Sequence, residues 1–352
     1  MKKFTTVALS LLLASVTVAQ QAAVTDLPDI SVIGNFQSSH SDNENSFDVK
    51  EIEFAFQHYL YPSVKADIFT ALHKDSSGER HFELEEAYIT FSDFFGVLAP
   101  NSTKEYGVGA VVGKKLVGIG KVNPTHPEQW QFVDRPLIVK NFFGAEEGLS
   151  AEGGQMNYLL PTSFFSQLEL GYWKAAAHEE EGEEHSGVEY EDNLVTARLW
   201  NAYSLSDDKE LEVGLNYLQG NAAASSSDDK QDVVGLDVTY KLELSPSKFV
   251  AVQSEYYSAT YGEEGESRES QSGFFVSGLY DINSHYQVGL RFDSLGMHGD
   301  EGSDTSQWSI VGSRKLTDTS KLRLQYSTGD GVSDTILAQF VFGMGPHSHV
   351  LQ

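Results

Sequence analysis

Most of this sequence alternates residue by residue between apolar and polar side chains, in segments of roughly ten residues, the length at which a tilted strand crosses bilayer hydrocarbon. In the clearest segment Val234, Leu236, Val238, Tyr240 and Leu242 share one face, and Gly235, Asp237, Thr239, Lys241 and Glu243 the other. Leu211, Val213, Leu215 and Tyr217 stand against Glu210, Glu212, Gly214 and Asn216; Tyr286, Val288, Leu290 and Phe292 against Gln287, Gly289, Arg291 and Asp293. Leu322, Leu324 and Tyr326 oppose Arg323, Gln325 and Ser327, and near the start Ile52, Phe54 and Phe56 oppose Glu51, Glu53 and Gln57. A soluble sandwich would also hide one face of each strand. Ionisable residues in the middle of so many polar faces suit a wide water-filled lumen better. The segment from Phe82 to Ser92 alternates poorly, with Glu86 and Phe91 on the wrong sides, and is read as a weak strand.

The connections test this reading independently, because outer-membrane barrels alternate short periplasmic turns with long extracellular loops. With the N-terminus in the periplasm, the outer loops are expected at Ser38–Ser46, Lys74–Arg80, Lys115–Ser150, His178–Asp192, Asn221–Lys230, Gly262–Ser270, Met297–Ser306 and Gly329–Asp334. Short inner turns fall at Tyr61–Ser63, Pro161–Ser163, Ser206–Lys209, Ser245–Ser247, Asp281–Ser284 and Thr317–Ser320, with Phe94–Lys104 a longer inner connection. The expectation is an all-β, transmembrane antiparallel β-barrel of about 16 strands with acidic extracellular loops.

The first 19 residues carry Lys2 and Lys3, an apolar run from Val7 to Ala14 and a small-residue end at Thr17-Val18-Ala19, the pattern of a cleaved signal peptide. That leaves residues 20–352 as one barrel domain in the outer membrane of a Gram-negative bacterium. No later run approaches the ~20 apolar residues of a transmembrane helix. The chain has no cysteine, so disulfides and thiolate metal sites are excluded. Its formal net charge is -27, which argues against nucleic-acid partners and for attraction of cations. No Gly-x-Ser-x-Gly, His-Glu-x-x-His or P-loop pattern occurs, so an enzyme is not expected.

Several segments resemble a family of Gram-negative outer-membrane porin-like proteins, zinc-regulated and related to the phosphate-selective porins. They are Pro28-Asp29-Ile30-Ser31-Val32-Ile33-Gly34; Gly113-Lys114 with Gly120, Asn123 and His126; Phe132-Val133-Asp134-Arg135-Pro136-Leu137; Phe142-Phe143-Gly144; Gly148-Leu149; Leu160-Pro161-Thr162; and Phe342-Gly343-Met344-Gly345-Pro346-His347. The resemblance implies a monomer- or trimer-forming channel whose expression rises under zinc limitation. The family pattern puts an aromatic and then an arginine after Gly-Lys; here Lys115 and Leu116 stand there, which weakens the transfer of an arginine-based anion site.

The 115–150 segment is much too long for an ordinary barrel loop and is expected to fold toward the lumen. Between Lys114 and Lys140 it concentrates Lys114, Lys115, Lys121, Arg135 and Lys140 against Glu128 and Asp134, a basic island in an acidic chain. Opposed to Glu51, Glu53, Glu210 and Glu212, it would set a transverse field across a pore constriction, unless Asp134 and Arg135 pair locally and pin the loop to the wall. The best metal candidates are His178, Glu179, Glu180, Glu181, Glu183, Glu184 and His185, with His126 second; a weakly bound Zn2+ suits them, and none is required. A solvated charge run and a wall contact are the plainer readings of the two. His347 and His349 after the last strand read as a tail, and Phe342 as the aromatic end that assembly machinery recognises.

The leading expectation is a porin for small hydrophilic solutes or ions, including metal cations under zinc limitation. The alternatives are a metal-capturing surface receptor with a closed lumen and an anion-selective, phosphate-type porin. Expected partners are outer-membrane lipid and lipopolysaccharide, the barrel assembly machinery, small solutes or metal ions, and further copies of the chain in a homotrimer.

Overall fold

The computed structural model describes residues 27–41, 45–74, 78–99, 106–144, 148–175, 190–222, 230–262, 269–298 and 304–346. The signal segment 1–19, the acidic run from His178 to His185, and His347 and His349 lie outside them. Sixteen strands follow the chain: β1 (Asp29–Ser41), β2 (Asn45–Tyr61), β3 (Val64–Lys74), β4 (Arg80–Phe91), β5 (Val108–Leu116), β6 (Ser150–Leu159), β7 (Phe165–Ala175) and β8 (Tyr190–Ser206). The second half comprises β9 (Lys209–Ala222), β10 (Lys230–Ser245), β11 (Lys248–Gly262), β12 (Glu269–Asp281), β13 (Tyr286–His298), β14 (Thr305–Thr317), β15 (Ser320–Asp330) and β16 (Thr335–Met344). Two short helices interrupt them, α1 (Phe94–Leu98) in the longer inner connection and α2 (Leu137–Phe143) in the long loop.

Each strand pairs antiparallel with its sequence neighbour, and β1 pairs with β16 to close the ring. Closure gives every strand two partners, so no edge is left with unpaired backbone groups in hydrocarbon. At the seam the rings of Phe36, Phe340 and Phe342 stack, and Phe342 covers the backbone of Gly34, where any Cβ would collide with the ring.

The alternation maps onto the wall in the sense the sequence implies. Leu236 is 40% exposed and Leu324 58%, whereas Asp237 is 0% and Arg323 1% exposed. The apolar side chains therefore face outward around the barrel and the polar ones inward, which is the pattern of a transmembrane barrel of the outer-membrane type.

The irregular segment becomes β4, and a bulge explains it. Phe69 pairs with Glu86 and Thr70 with Leu84, so Glu85 is an extra residue opposite no partner. Before it the even positions Phe82 and Leu84 are exposed; after it Glu86 is buried. One inserted residue reverses the period-2 pattern, which no uniform alternation can register.

The interior departs from expectation in one region. Trp173, Leu194, Leu218, Val233, Tyr257 and Phe275 are buried among inward-facing positions of β7 to β12. The lumen is thus lined by charge on some strands and by an apolar patch on others.

Burial on the lipid side sets a test. Replacing Leu236 with lysine is expected to destabilise the barrel by about 2–4 kcal/mol, read as a fall in the denaturant midpoint during unfolding from lipid vesicles.

Candidate functional site

Residues 117–144 leave β5 and run through the barrel interior, and Gly148 and Leu149 lead into β6. The Val117 amide donates to the Leu149 carbonyl (2.8 Å) and closes the neck of this loop. Asn123 and Arg135 hold it in shape from within. Asn123 Nδ2 donates to the Val117 and Leu149 carbonyls (2.8 and 3.2 Å), while its Oδ1 accepts from the Leu149 amide and from Arg135 Nη2 (3.0 Å each). Arg135 Nη1 donates to the Gly144 carbonyl (2.9 Å).

Little of this backbone is regular, so its buried N–H and C=O groups need side-chain partners. The wall supplies them by sign. Carboxylates and amides of inward-facing residues take the loop amides: Glu255 Oε1 accepts from Lys121 and Val122 (2.9 and 3.0 Å), Asp293 from Leu137 (3.0 Å), Gln325 from Val133 (2.8 Å) and Asn216 from Gly120 (3.0 Å). Arg323 takes the carbonyls, donating to Pro127 (2.9 Å), Phe132 (3.0 Å) and Trp130. Gly120 has φ +64°, and a Cβ there would strike Tyr257 and Glu255, so glycine permits both the turn and the approach to the wall.

Dispersion and burial hold the other end. Ile138, Val139, Phe142 and Phe143 of α2 are 0% exposed and pack on the apolar patch described above. Phe143 meets Tyr257 edge to face at 4.9 Å.

The charged residues pair across the loop–wall boundary. Arg291 bridges Asp134 Oδ1 (Nη2, 2.9 Å) and Asp293 Oδ2 (Nε, 2.6 Å), and Lys140 lies 3.3 Å from the second Asp134 oxygen. Burial alone would raise the Asp134 pKa, but Arg291, Lys140 and the Gln325 hydrogen bond hold it well below the usual carboxylate range. Lys121 pairs with Glu212 and lies over the Trp200 ring (4.5 Å). Lys115 lies over Tyr88 (4.5 Å) with Glu86 at 3.9 Å. His126 sits between two carboxylates, Nδ1 3.0 Å from Glu53 Oε2 and Nε2 3.0 Å from Glu86 Oε2. Burial opposes the charged imidazolium, yet these two contacts and the nearby Glu128 raise its pKa well above the ordinary histidine value.

Of the residues picked for a constriction, Lys115, Lys121, Asp134, Arg135, Lys140, Glu53 and Glu212 belong to this loop–wall boundary. Glu51 is buried on the same β2 face as Glu53. Two do not join them. Glu210 is exposed beside the Ser206–Lys209 turn, in register with Ser204, at the inner rim. Lys114 shares the strand face of exposed Val112, and its Nζ donates to the Leu84 carbonyl. Several of these charges meet directly: Lys121 touches Glu212, Asp134 pairs with Arg291, and Glu53 meets His126. Arg135 bonds to Asn123 and Gly144 within the loop. His126 has both ring nitrogens engaged by carboxylates, the arrangement of a buried ion pair.

Arg291, Asp293, Glu255 and Arg323 organise the site and were not singled out from sequence. Their mid-strand place on polar faces was visible; their loop partners, 133–196 residues away, were not.

Between loop and wall lies a cavity of about 220 Å3 whose charged lining is Lys121, Asp134, Arg135, Glu212, Lys241 and Arg291.

No family model matches the chain. An uncharacterized protein of Aquifex aeolicus is 23% identical over 382 residues, covering 92% of this chain and 79% of that protein. Among solved structures, the outer membrane channel DcaP of Acinetobacter baumannii superposes with a TM-score of 0.60 at 12% identity, over 90% of this chain and 97% of that one. The anion-selective porin from Comamonas acidovorans gives 0.56 at 10% identity, over 90% and 99%. At these identities the likeness is one of fold, a 16-stranded outer-membrane barrel.

Replacing His126 with alanine leaves Glu53 and Glu86 buried without their shared partner and is expected to cost about 3–5 kcal/mol, read as a lower unfolding temperature in detergent. Because the folded pKa is raised, the stabilisation from this group is complete below the unfolded value of about 6.5 and is lost as pH climbs through the folded one. Wild type should therefore lose stability on the alkaline side, and His126→Gln should flatten that limb.

Proposed function

We propose that this protein is an outer-membrane channel for small hydrophilic solutes or ions, in which the luminal segment 117–149 narrows the passage. The observation that carries the reading is the charged cavity between that segment and the wall of a closed, lipid-facing barrel. A wall built only to anchor the protein would have no need of a polar interior opposed to an apolar exterior.

Selectivity sets two scales of charge against each other. The whole chain is -27, which gathers cations at the mouths and supports metal-cation passage, including zinc under scarcity, helped by weak ion capture on the His178–His185 loop. The cavity, however, is lined by Lys121, Arg135, Lys241 and Arg291 against Asp134 and Glu212, an excess of two positive charges. Screening acts over about 8 Å at physiological ionic strength, so within the narrow passage the near charges outweigh distant loops. This lining favours the second reading, an anion-preferring channel, the selectivity named for the Comamonas porin. Assembly as a homotrimer, contact with lipopolysaccharide and delivery by the barrel assembly machinery complete the proposal.

Purified protein in planar bilayers is expected to give discrete single-channel conductance, and the reversal potential in a KCl gradient should report anion preference that falls when Lys241 is replaced by glutamate. Absence of conductance, with Zn2+ binding that depends on His178 and His185, would replace the channel with a surface receptor. Substituting both Phe142 and Phe143 with alanine removes buried packing worth about 3–5 kcal/mol per side chain; it should free the luminal segment and raise conductance or its noise.

A further inference from the structure

The wall opposite the apolar patch holds a cluster of carboxylates that the loop does not use up. Glu51 and Glu53 lie two apart on the lumen-facing side of β2, and Glu85 is the bulged residue of β4. The strand between them, β3, carries fully buried Ala71 in register with Glu53 on one side and with Glu83, two residues before the bulge, on the other. One oxygen from each of Glu51, Glu53 and Glu85 lies within 4.8 Å of the others.

A second observation concerns Glu53 itself. It is 1% exposed, and its Oε1 has no hydrogen-bond donor; the buried Oε2 of Glu85 has none either. Buried carboxylate oxygens without a donor are uncommon in folded proteins. The neighbouring imidazoles are turned to other oxygens: His126 Nδ1 to Glu53 Oε2, and His73 Nε2 to Glu85 Oε1 at 3.1 Å. These donorless oxygens belong to two of the three carboxylates that approach one another.

We propose that Glu51, Glu53 and Glu85 form a divalent-cation site in the lumen wall, one that takes a hard, oxygen-preferring ion of the Ca2+, Mg2+ or Mn2+ class. Three carboxylates with water completing the shell suit such ions, which bind oxygen at 2.0–2.6 Å. A zinc-type site would want nitrogen, and the two imidazoles beside the cluster are already engaged, His126 through both nitrogens by Glu53 and Glu86 and His73 through Nε2 by Glu85. An ion here would neutralise the wall directly beneath the loop turn that carries His126 and Glu128, tying the occupancy of the site to the seating of the loop. The site stands apart from the channel proposal, since binding is read without conductance.

The test is calorimetric titration of the full mature protein in detergent, stripped with chelator, with CaCl2, MgCl2, MnCl2 and ZnCl2 in turn. A background variant with Glu179, Glu180, Glu181, Glu183 and Glu184 changed to glutamine removes the acidic outer loop and should retain the site. On that background Glu51→Gln and Glu85→Gln are each expected to weaken binding of the preferred ion at least tenfold while the barrel keeps its heat-modifiable mobility on gels. Should Glu53→Gln fail to fold, those two still decide the matter, and crystals grown with MnCl2 should show an anomalous peak among the three carboxylates. Titrations changed less than twofold by both substitutions, an anomalous peak elsewhere only, or preferential Zn2+ binding abolished by His126→Ala would each overturn the proposal.

Discussion

The bilayer offers no water to the peptide backbone, and everything else in this molecule follows from that shortage. Each strand must find two partners, so the sheet must close, and sixteen strands close into a ring whose inside is wide enough to need furnishing. The pairing of β1 with β16 is therefore more than one ladder among sixteen. It removes the last two open edges, and the stacked rings of Phe36, Phe340 and Phe342 shield it on one face.

The same shortage is repeated inside, where a loop of irregular backbone is buried against the wall. Its amides and carbonyls are met by side chains from strands distant in sequence: Glu255, Asp293 and Gln325 as acceptors, Arg323 as a donor to three carbonyls. The polar lumen is in this sense the loop's missing secondary structure. Where the wall instead presents Trp173, Leu194, Leu218 and Tyr257, the loop answers with the apolar side of α2. Charge at one end and burial at the other hold a single placement.

Much of the frame could be read from the chain. The turns at Tyr61–Ser63 and Ser206–Lys209 and the long gap between Leu116 and Ser150 were marked by breaks in a pattern of period two, because a strand with lipid on one side and polar groups on the other cannot slip by one residue without reversing both. Glu85 shows where that logic fails. A single bulged residue inverts the pattern along β4 and turns Glu86 to the lumen, and nothing local in the sequence announces it. The site was less legible. Asp134 and Arg135 are adjacent and of opposite sign, yet one reaches Arg291 in the wall and the other clasps Asn123 and Gly144 within the loop.

The sequence by itself determined the barrel, the order of its strands and turns, and the lipid face of the regularly alternating strands, since those depend on contacts between near neighbours and on a solvent that is the same all round. Only the tertiary structure decided which luminal charges meet, that Glu210 stays at the rim while Glu53 joins His126, and that Glu51, Glu53 and Glu85 come together. Such pairings join residues far apart in the chain, and their energies depend on burial and angle, which exist only once the ring has closed.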